Sequence, residues 1–109
     1  MAGTLGGFEQ AVLLAIVRLR DEAYGRAILD EAQKRLGYEV SAGAVQATLE
    51  RLERKRLVAS RLGSGTLVRA GRPRRYYRLT PSGVRALNEA RAAVDQLWQG
   101  LVWPLKSRS

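Results

Sequence analysis

The sequence predicts a mainly α domain that carries one small β-hairpin. Three observations lead there. Apolar residues recur at helical spacing in four separate segments, two short strand-like runs flank a loop punctuated by Gly and Pro, and 109 residues leave room for one small domain only. Hydrophobic residues make up 46% of the chain, enough to expect a folded core rather than disorder. A domain this small buries apolar surface inefficiently, so a partner subunit would add stability.

Met1 to Gly7 is Gly-rich and is expected to fray as far as Leu5. In the first helix, Phe8, Val12, Ile16 and Leu19 repeat at helical spacing, while Leu13, Leu14, Ala15 and Val17 fill the other faces. A helix apolar all round must be covered on more than one side. Asp21 and Glu22 suit the positive end of a helix dipole and are expected to open the second helix. Its inward face is Tyr24, Ala27, Ile28, Ala32 and Leu36, and Gly37 takes the C-cap role. Tyr38-Glu39-Val40 bridges to Ser41, an N-cap for a third helix that reaches about Lys55.

Residues set at about 100° intervals sort the faces of that third helix. Val45, Leu49 and Leu52 face the core with Thr48 beside them; Gly43, Ala47 and Arg54 point away, flanked by Ala44, Gln46, Glu50 and Arg51. Its exposed N-terminal half is therefore made of very small residues and one amide, a surface that another molecule can approach closely. Leu57 to Leu62 is a strand, Gly63-Ser64-Gly65 and Gly71-Arg72-Pro73 punctuate a loop, and Arg74 to Leu79 is a second strand. By period two, Leu79 and Tyr77 face inward while Arg74, Tyr76 and Arg78 face out. Thr80 caps a final helix with Pro81 at its first position. Along it Leu87, Ala90, Val94, Leu97 and Leu101 step by 3, 4, 3 and 4, the seam of a coiled coil, and Pro104 is expected to stop the helix.

The charge is not evenly spread. Arg51 to Arg78 holds ten Lys or Arg against one acid, Glu53, a local +9, whereas the rest of the chain carries nine bases and nine acids. A field concentrated in 28 residues attracts a polyanion; scattered charge would serve only solubility. With no Cys and no His, disulfides and Cys/His zinc patterns are excluded, and the commonest general base is missing. No carboxylate pair has a pocket motif behind it, so no enzyme, metal or cofactor is expected. The longest apolar run, Ala11 to Val17, is seven residues against the roughly 20 of a membrane span, so the expectation is a cytoplasmic protein with no membrane contact.

The order helix–helix–helix–strand–wing–strand–helix is that of a winged helix-turn-helix over residues 5–80, plus a C-terminal dimerisation helix over 81–103 of the same compact unit. Ala23-Tyr24-Gly25, Ser41-Ala42-Gly43, Thr48-Leu49 with Arg51-Leu52-Glu53, and the string Gly71-Arg72-Pro73-Arg74-Arg75-Tyr76-Tyr77-Arg78-Leu79-Thr80-Pro81-Ser82-Gly83 together resemble the PadR family of transcriptional regulators. The single C-terminal helix is similar to the family's short branch, which dimerises through that helix and the first one. The chain departs from the family in two places. Gln46 stands where a Tyr is usual on helix three, and Arg56 stands where a Gly commonly ends that helix, placing a Cβ at a left-handed position.

The resemblance implies a homodimeric repressor on inverted-repeat operator DNA, with helix three in the major groove and the wing on the backbone or minor groove. Gly43, Ala44, Gln46 and Ala47 then meet base edges, where Gln pairs bidentately with adenine. Ser41 caps the helix or donates to a phosphate, and Arg51 and Arg54 reach flanking phosphates. Arg72, Arg74 and Arg75 surround a Pro-stiffened tip suited to a narrow minor groove. Tyr24 and Tyr77 are expected to pack in the core. The dimer contact would use Val12 and Ile16 with Leu87, Ala90, Val94, Leu97 and Leu101. By resemblance to multidrug-sensing relatives, Trp98 and Trp103 would line a pocket for a planar aromatic effector, or else seal the interface. A protein-interaction module is the alternative reading, but it has no need for the whole charge excess at helix three and wing. An RNA binder would want more aromatic platforms than the 6% present.

Overall fold

A computed structural model describes residues 5–63 and 73–108 of the chain. Its elements run α1 (Gly7–Leu19), α2 (Gly25–Leu36), α3 (Ala42–Arg54), β1 (Val58–Leu62), β2 (Arg75–Leu79) and α4 (Pro81–Trp98), the order of a winged helix-turn-helix. The strands pair antiparallel, with Val58 opposite Leu79 and Leu62 opposite Arg75. Val12 and Leu13 of α1, Ile28 and Ala32 of α2, and Leu49 and Leu52 of α3 are fully buried and make one core, closed from the hairpin side by Val58 and Tyr77.

Helix α2 starts later than the acids at 21 and 22 suggest. Those two residues lie in a 3-10 turn, Arg20–Glu22; Ala23 follows at φ −89°, ψ 78° and Tyr24 is extended, so neither is helical. The reason is long-range: the Tyr77 amide donates to the Ala23 carbonyl at 2.8 Å, and Tyr24 bridges Tyr76. These backbone groups belong to the hairpin, so no helix can begin there. The end of α2 is as expected, with Gly37 at φ +80°, where a side chain would be strained.

Local chemistry sets the bounds of α3 and the start of α4. The Ser41 hydroxyl accepts from the Ala44 amide at 3.0 Å, and Thr80 does the same for Gly83 at 3.0 Å behind Pro81. At the far end of α3, the Leu57 amide donates to the Leu52 carbonyl and the Arg56 amide to the Glu53 carbonyl, the paired bonds of a Schellman cap. Arg56 sits at its left-handed position, φ +63°. Gly83 is buried, and a Cβ there would collide with the Leu57 carbonyl oxygen and sit 3.3 Å from the Leu79 side chain. That close approach seats α4 on the hairpin.

Two expectations about the dimer contact fail. Val12 (0% exposed) and Ile16 (3%) are consumed by the protomer's own core, so neither offers area to a partner; the apolar side chains that α1 exposes are Leu14 and Val17. Helix α4 ends at Trp98 and the chain turns at Gly100, φ +85°, so Leu101 and Trp103 lie past the helix and do not continue the seam. A type II turn accounts for the difference: Gln99 leaves the helix at ψ 129°, Gly100 takes the left-handed corner, and the Leu101 amide donates to the Trp98 carbonyl at 2.8 Å. Of the remaining seam residues, Leu87 and Ala90 are half-buried against the core, whereas Val94 and Leu97 (78% exposed) are free.

Candidate nucleic-acid interface

The outer face of α3 presents Gly43, Ala44, Gln46 and Ala47, all exposed, as the helical periodicity requires. A Cβ at Gly43 would meet nothing within 4 Å, so the fold itself does not demand glycine there. Between this face and the start of α2 lies a concavity of about 440 Å³ lined by Gly25, Arg26, Leu29, Ala42, Gly43 and Gln46 among others. Gln46 is not idle: its amide donates to Glu50 one turn on, at 3.3 Å, so reading a base would require it to leave that carboxylate or to share it. Ser41 works as the cap, with its hydroxyl oxygen on the Ala44 amide and the residue exposed. Arg54 is exposed in the last turn.

Arg51 turns inward instead. Its Nε donates to Glu9 Oε2 at 3.2 Å and a terminal nitrogen to Thr48 Oγ1 at 3.3 Å, while Lys55 Nζ reaches the same Glu9 oxygen at 3.1 Å. Glu9 also accepts from the Gly6 amide through Oε1, at 3.1 Å. Desolvation alone would raise this buried carboxyl, but the Gly6 amide, Lys55 and Arg51 together outweigh it and hold its pKa below the ordinary value of 4.5. The triad pins the start of α1 to the last turns of α3. It thereby sets how α3 is presented, and it engages part of the Arg51 guanidinium.

The base of the wing is the second half of the surface. Arg75 donates to Ser60 Oγ at 3.0 Å, which donates to Glu53 Oε2 at 2.8 Å, so this arginine is tethered to α3 across the hairpin. The Arg74 guanidinium lies 4.0 Å above the centroid of the Tyr24 ring, and Arg61 lies 4.9 Å from that of Tyr76. The two tyrosines meet edge to face, 5.8 Å apart at 71°. Neither is placed quite as expected: Tyr24, assigned to the inward face of the second helix and to the core, is half-buried beneath an arginine, and Tyr76, expected to face out, is half-buried against Tyr24. Tyr77 is buried, which pushes its phenol above 10.0 despite the opposing influence of Gln46 and Arg75 nearby. Arg72, the third arginine expected at the tip, lies outside the described residues.

Tyr24, Gly25, Arg26, Arg74 and Arg75 line a second concavity of about 540 Å³, adjoining the first through Gly25 and Arg26. Arg26 falls outside the basic block because that block begins at Arg51. Only the pairing of residues 23 and 24 with β2 brings it to the wing. One continuous surface thus runs from the small-residue face of α3, across Arg26, to Arg74 and Arg75. Its shape and sign suit a phosphate backbone flanking a groove entered by α3. Among the described residues there is no cluster of acids, His or Cys able to hold a metal ion, and no helix long and apolar enough to cross a membrane.

Comparison with known proteins gives the family and the fold. The profile of the Transcriptional regulator PadR-like family matches residues 13–89. Transcriptional regulator Rv3488 of Mycobacterium tuberculosis is 43% identical over 77 residues, which cover 71% of this chain and 67% of that protein. A PadR family transcriptional regulator from Eggerthella lenta superposes with a TM-score of 0.63 at 34% identity, over 82% of this chain and 75% of that one. A MepR mutant from S. aureus, bound to an oligodeoxyribonucleotide, shares the fold with a TM-score of 0.64 at 20% identity, over 94% of this chain and 67% of that one.

Proposed function

The chain belongs to the PadR-like family of transcriptional regulators, and from that membership we propose that it is a homodimeric repressor of an inverted-repeat operator. It is a DNA-binding regulator, not an enzyme. In this reading α3 enters the major groove with Gly43, Ala44 and Ala47 against the base edges, and Gln46 selects adenine. Arg54, Arg74 and Arg75 hold phosphates, with Arg72 beyond them on the wing. The observation that carries the reading is the continuous surface of small residues on α3 and arginines at the wing base.

The dimer rests on α4. Residues 91–97 are all exposed, and Val94 and Leu97 project from this stretch without cover from the protomer. Leu14 and Val17 of α1 line a groove beside Val84 and Leu87 of α4, so a second copy of α4 laid there would bury both sets. An effector belongs to the same reading. Trp98, half-buried at the end of α4, and Trp103, 76% exposed, would stack a planar aromatic molecule at the dimer contact and shift the spacing of the two α3 helices.

The test is selection of bound duplexes from a random pool. The expected product is an inverted repeat with half-site centres about one helical turn, 10–10.5 bp, or a multiple apart. Affinity should fall steeply between about 50 and 200 mM salt. Absence of a preferred sequence, or a flat salt response, overturns the reading.

A further inference from the structure

We infer that Tyr24 is a positioning residue for DNA binding: its ring seats the Arg74 guanidinium so that, with Arg26 and Arg75, it presents its donors to one phosphate group of the duplex. The inference rests on the DNA-binding reading above and adds to it a residue that holds an arginine without touching the nucleic acid. An arginine stacked on a ring uses its flat face and leaves its in-plane N–H donors free, and those are the donors that fork onto phosphate oxygens. The Arg74 Cζ lies over the Tyr24 ring, 4.0 Å from its centroid, a cation–π distance short enough for such stacking.

The platform beneath it is rigid. The Tyr24 ring is braced by the edge of Tyr76, 5.8 Å away, and its backbone bridges the same residue. Arg61 covers Tyr76 from 4.9 Å, so the four side chains run in the order Arg74, Tyr24, Tyr76, Arg61 across the wing base. A long side chain that would otherwise lose rotamer freedom on meeting a phosphate is therefore held near its working position beforehand. Arg26 and Arg75 share the concavity with Arg74 and Tyr24, and Arg75 is itself oriented by Ser60. Three arginines thus line one hollow, Arg26 with its Nε on Asp30 at 3.1 Å and its terminal nitrogens left over, a lining suited to an anionic group.

The experiment is a salt titration of affinity for a mixed-sequence DNA duplex with wild type, Tyr24→Phe, Tyr24→Leu, Arg74→Ala and the Tyr24→Leu/Arg74→Ala double variant. Tyr24→Phe keeps the ring and should bind like wild type. Tyr24→Leu should weaken binding roughly two- to fivefold, the worth of one exposed cation–π contact. Arg74→Ala should weaken it at least as much and lower the salt slope by less than the roughly 0.9 of a whole phosphate, because Arg26 and Arg75 still face the same group. The double variant should be no weaker than Arg74→Ala, because the tyrosine acts only through that arginine. Losses that multiply in the double variant, or a Tyr24→Phe variant as weak as Tyr24→Leu, would overturn the inference in favour of a direct hydroxyl contact. Should Tyr24→Leu not fold, Arg74→Lys serves instead: it keeps the charge, lacks the stacking plane, and should lose affinity as Tyr24→Leu would; wild-type affinity in Arg74→Lys overturns the inference. In the free protein, the side-chain protons of Arg74 should be ring-shifted upfield in wild type and Tyr24→Phe and unshifted in Tyr24→Leu. No duplex binding by wild type brings down the functional reading, and this inference with it. Wild-type binding that Tyr24→Leu leaves intact brings down this inference alone.

Discussion

Replacing Arg56 by Gly should stabilise the protein by about 0.5–1 kcal/mol. Arg56 closes the Schellman cap of α3 at φ +63°, a conformation that disfavours an L side chain by roughly 1–2 kcal/mol. Glycine removes that strain but loses about 0.5–1 kcal/mol through its greater freedom in the unfolded chain, which leaves a net gain of about 0.5–1 kcal/mol. Nothing in the cap is sacrificed. The Arg56 amide still reaches the Glu53 carbonyl, and the Arg56 carbonyl still accepts the Thr80 hydroxyl at 2.7 Å. For a domain near 100 residues the gain corresponds to about 2–8 °C in Tm at fixed protein concentration. Arg56→Ala separates backbone from charge. It removes the same cation from a +9 chain yet keeps the Cβ, so it should show little gain. Thermal and denaturant unfolding of the three proteins decide the matter. If Arg56→Ala gains as much as Arg56→Gly, charge relief explains the effect, and if neither gains, the left-handed strain is not there.

Gly83→Ala should destabilise by about 1–3 kcal/mol, because its methyl collides with the Leu57 carbonyl oxygen and forces α4 off the hairpin; unchanged unfolding would mean that this contact relaxes freely. Glu9→Gln should lower stability at neutral pH by about 1–3 kcal/mol, through loss of charge-assisted bonds to Arg51 and Lys55. Since the folded carboxyl is held below 4.5, its contribution is present above that value and is lost as the pH falls through the folded pKa; wild type and variant should therefore converge in acid, and a difference that does not depend on pH contradicts the assignment. Leu97→Asp should yield folded monomers by sedimentation or light scattering, for Leu97 is 78% exposed in the protomer and its loss harms only the proposed contact; an intact dimer excludes it. Gln46→Ala should relax base preference at one position per half-site, by about 1–3 kcal/mol on the preferred site, as read from a repeat of the duplex selection.

Local chemistry was legible in the sequence at the starts of α3 and α4 and the end of α2, though not at the end of α4, where the turn at Gly100 and not Pro104 stops the helix. Ser41 and Thr80 cap helices, Pro81 opens one and Gly37 closes one, and each stands where its hydrogen bond or its φ requires. The inner and outer faces of α3 followed from periodicity, since the buried Val45, Thr48, Leu49 and Leu52 leave Gly43, Gln46 and Ala47 no other side. The string from Gly71 to Gly83 marked the wing and the family. What no local signal carried was pairing at a distance. Asp21 and Glu22 look like a helix start, but hydrogen bonds from β2 to residues 23 and 24 delay α2 and carry Arg26 to the wing. Val12 and Ile16 look like a surface seeking a partner, but the protomer's own α2 and α3 bury them and leave Leu14 and Val17 outside. Arg51 looks like a free phosphate ligand until Glu9, 42 residues earlier, takes it. Periodicity says that a face is apolar or charged; which neighbour satisfies it depends on how the whole chain packs, because each buried amide or carboxylate must find its partner wherever the fold brings one.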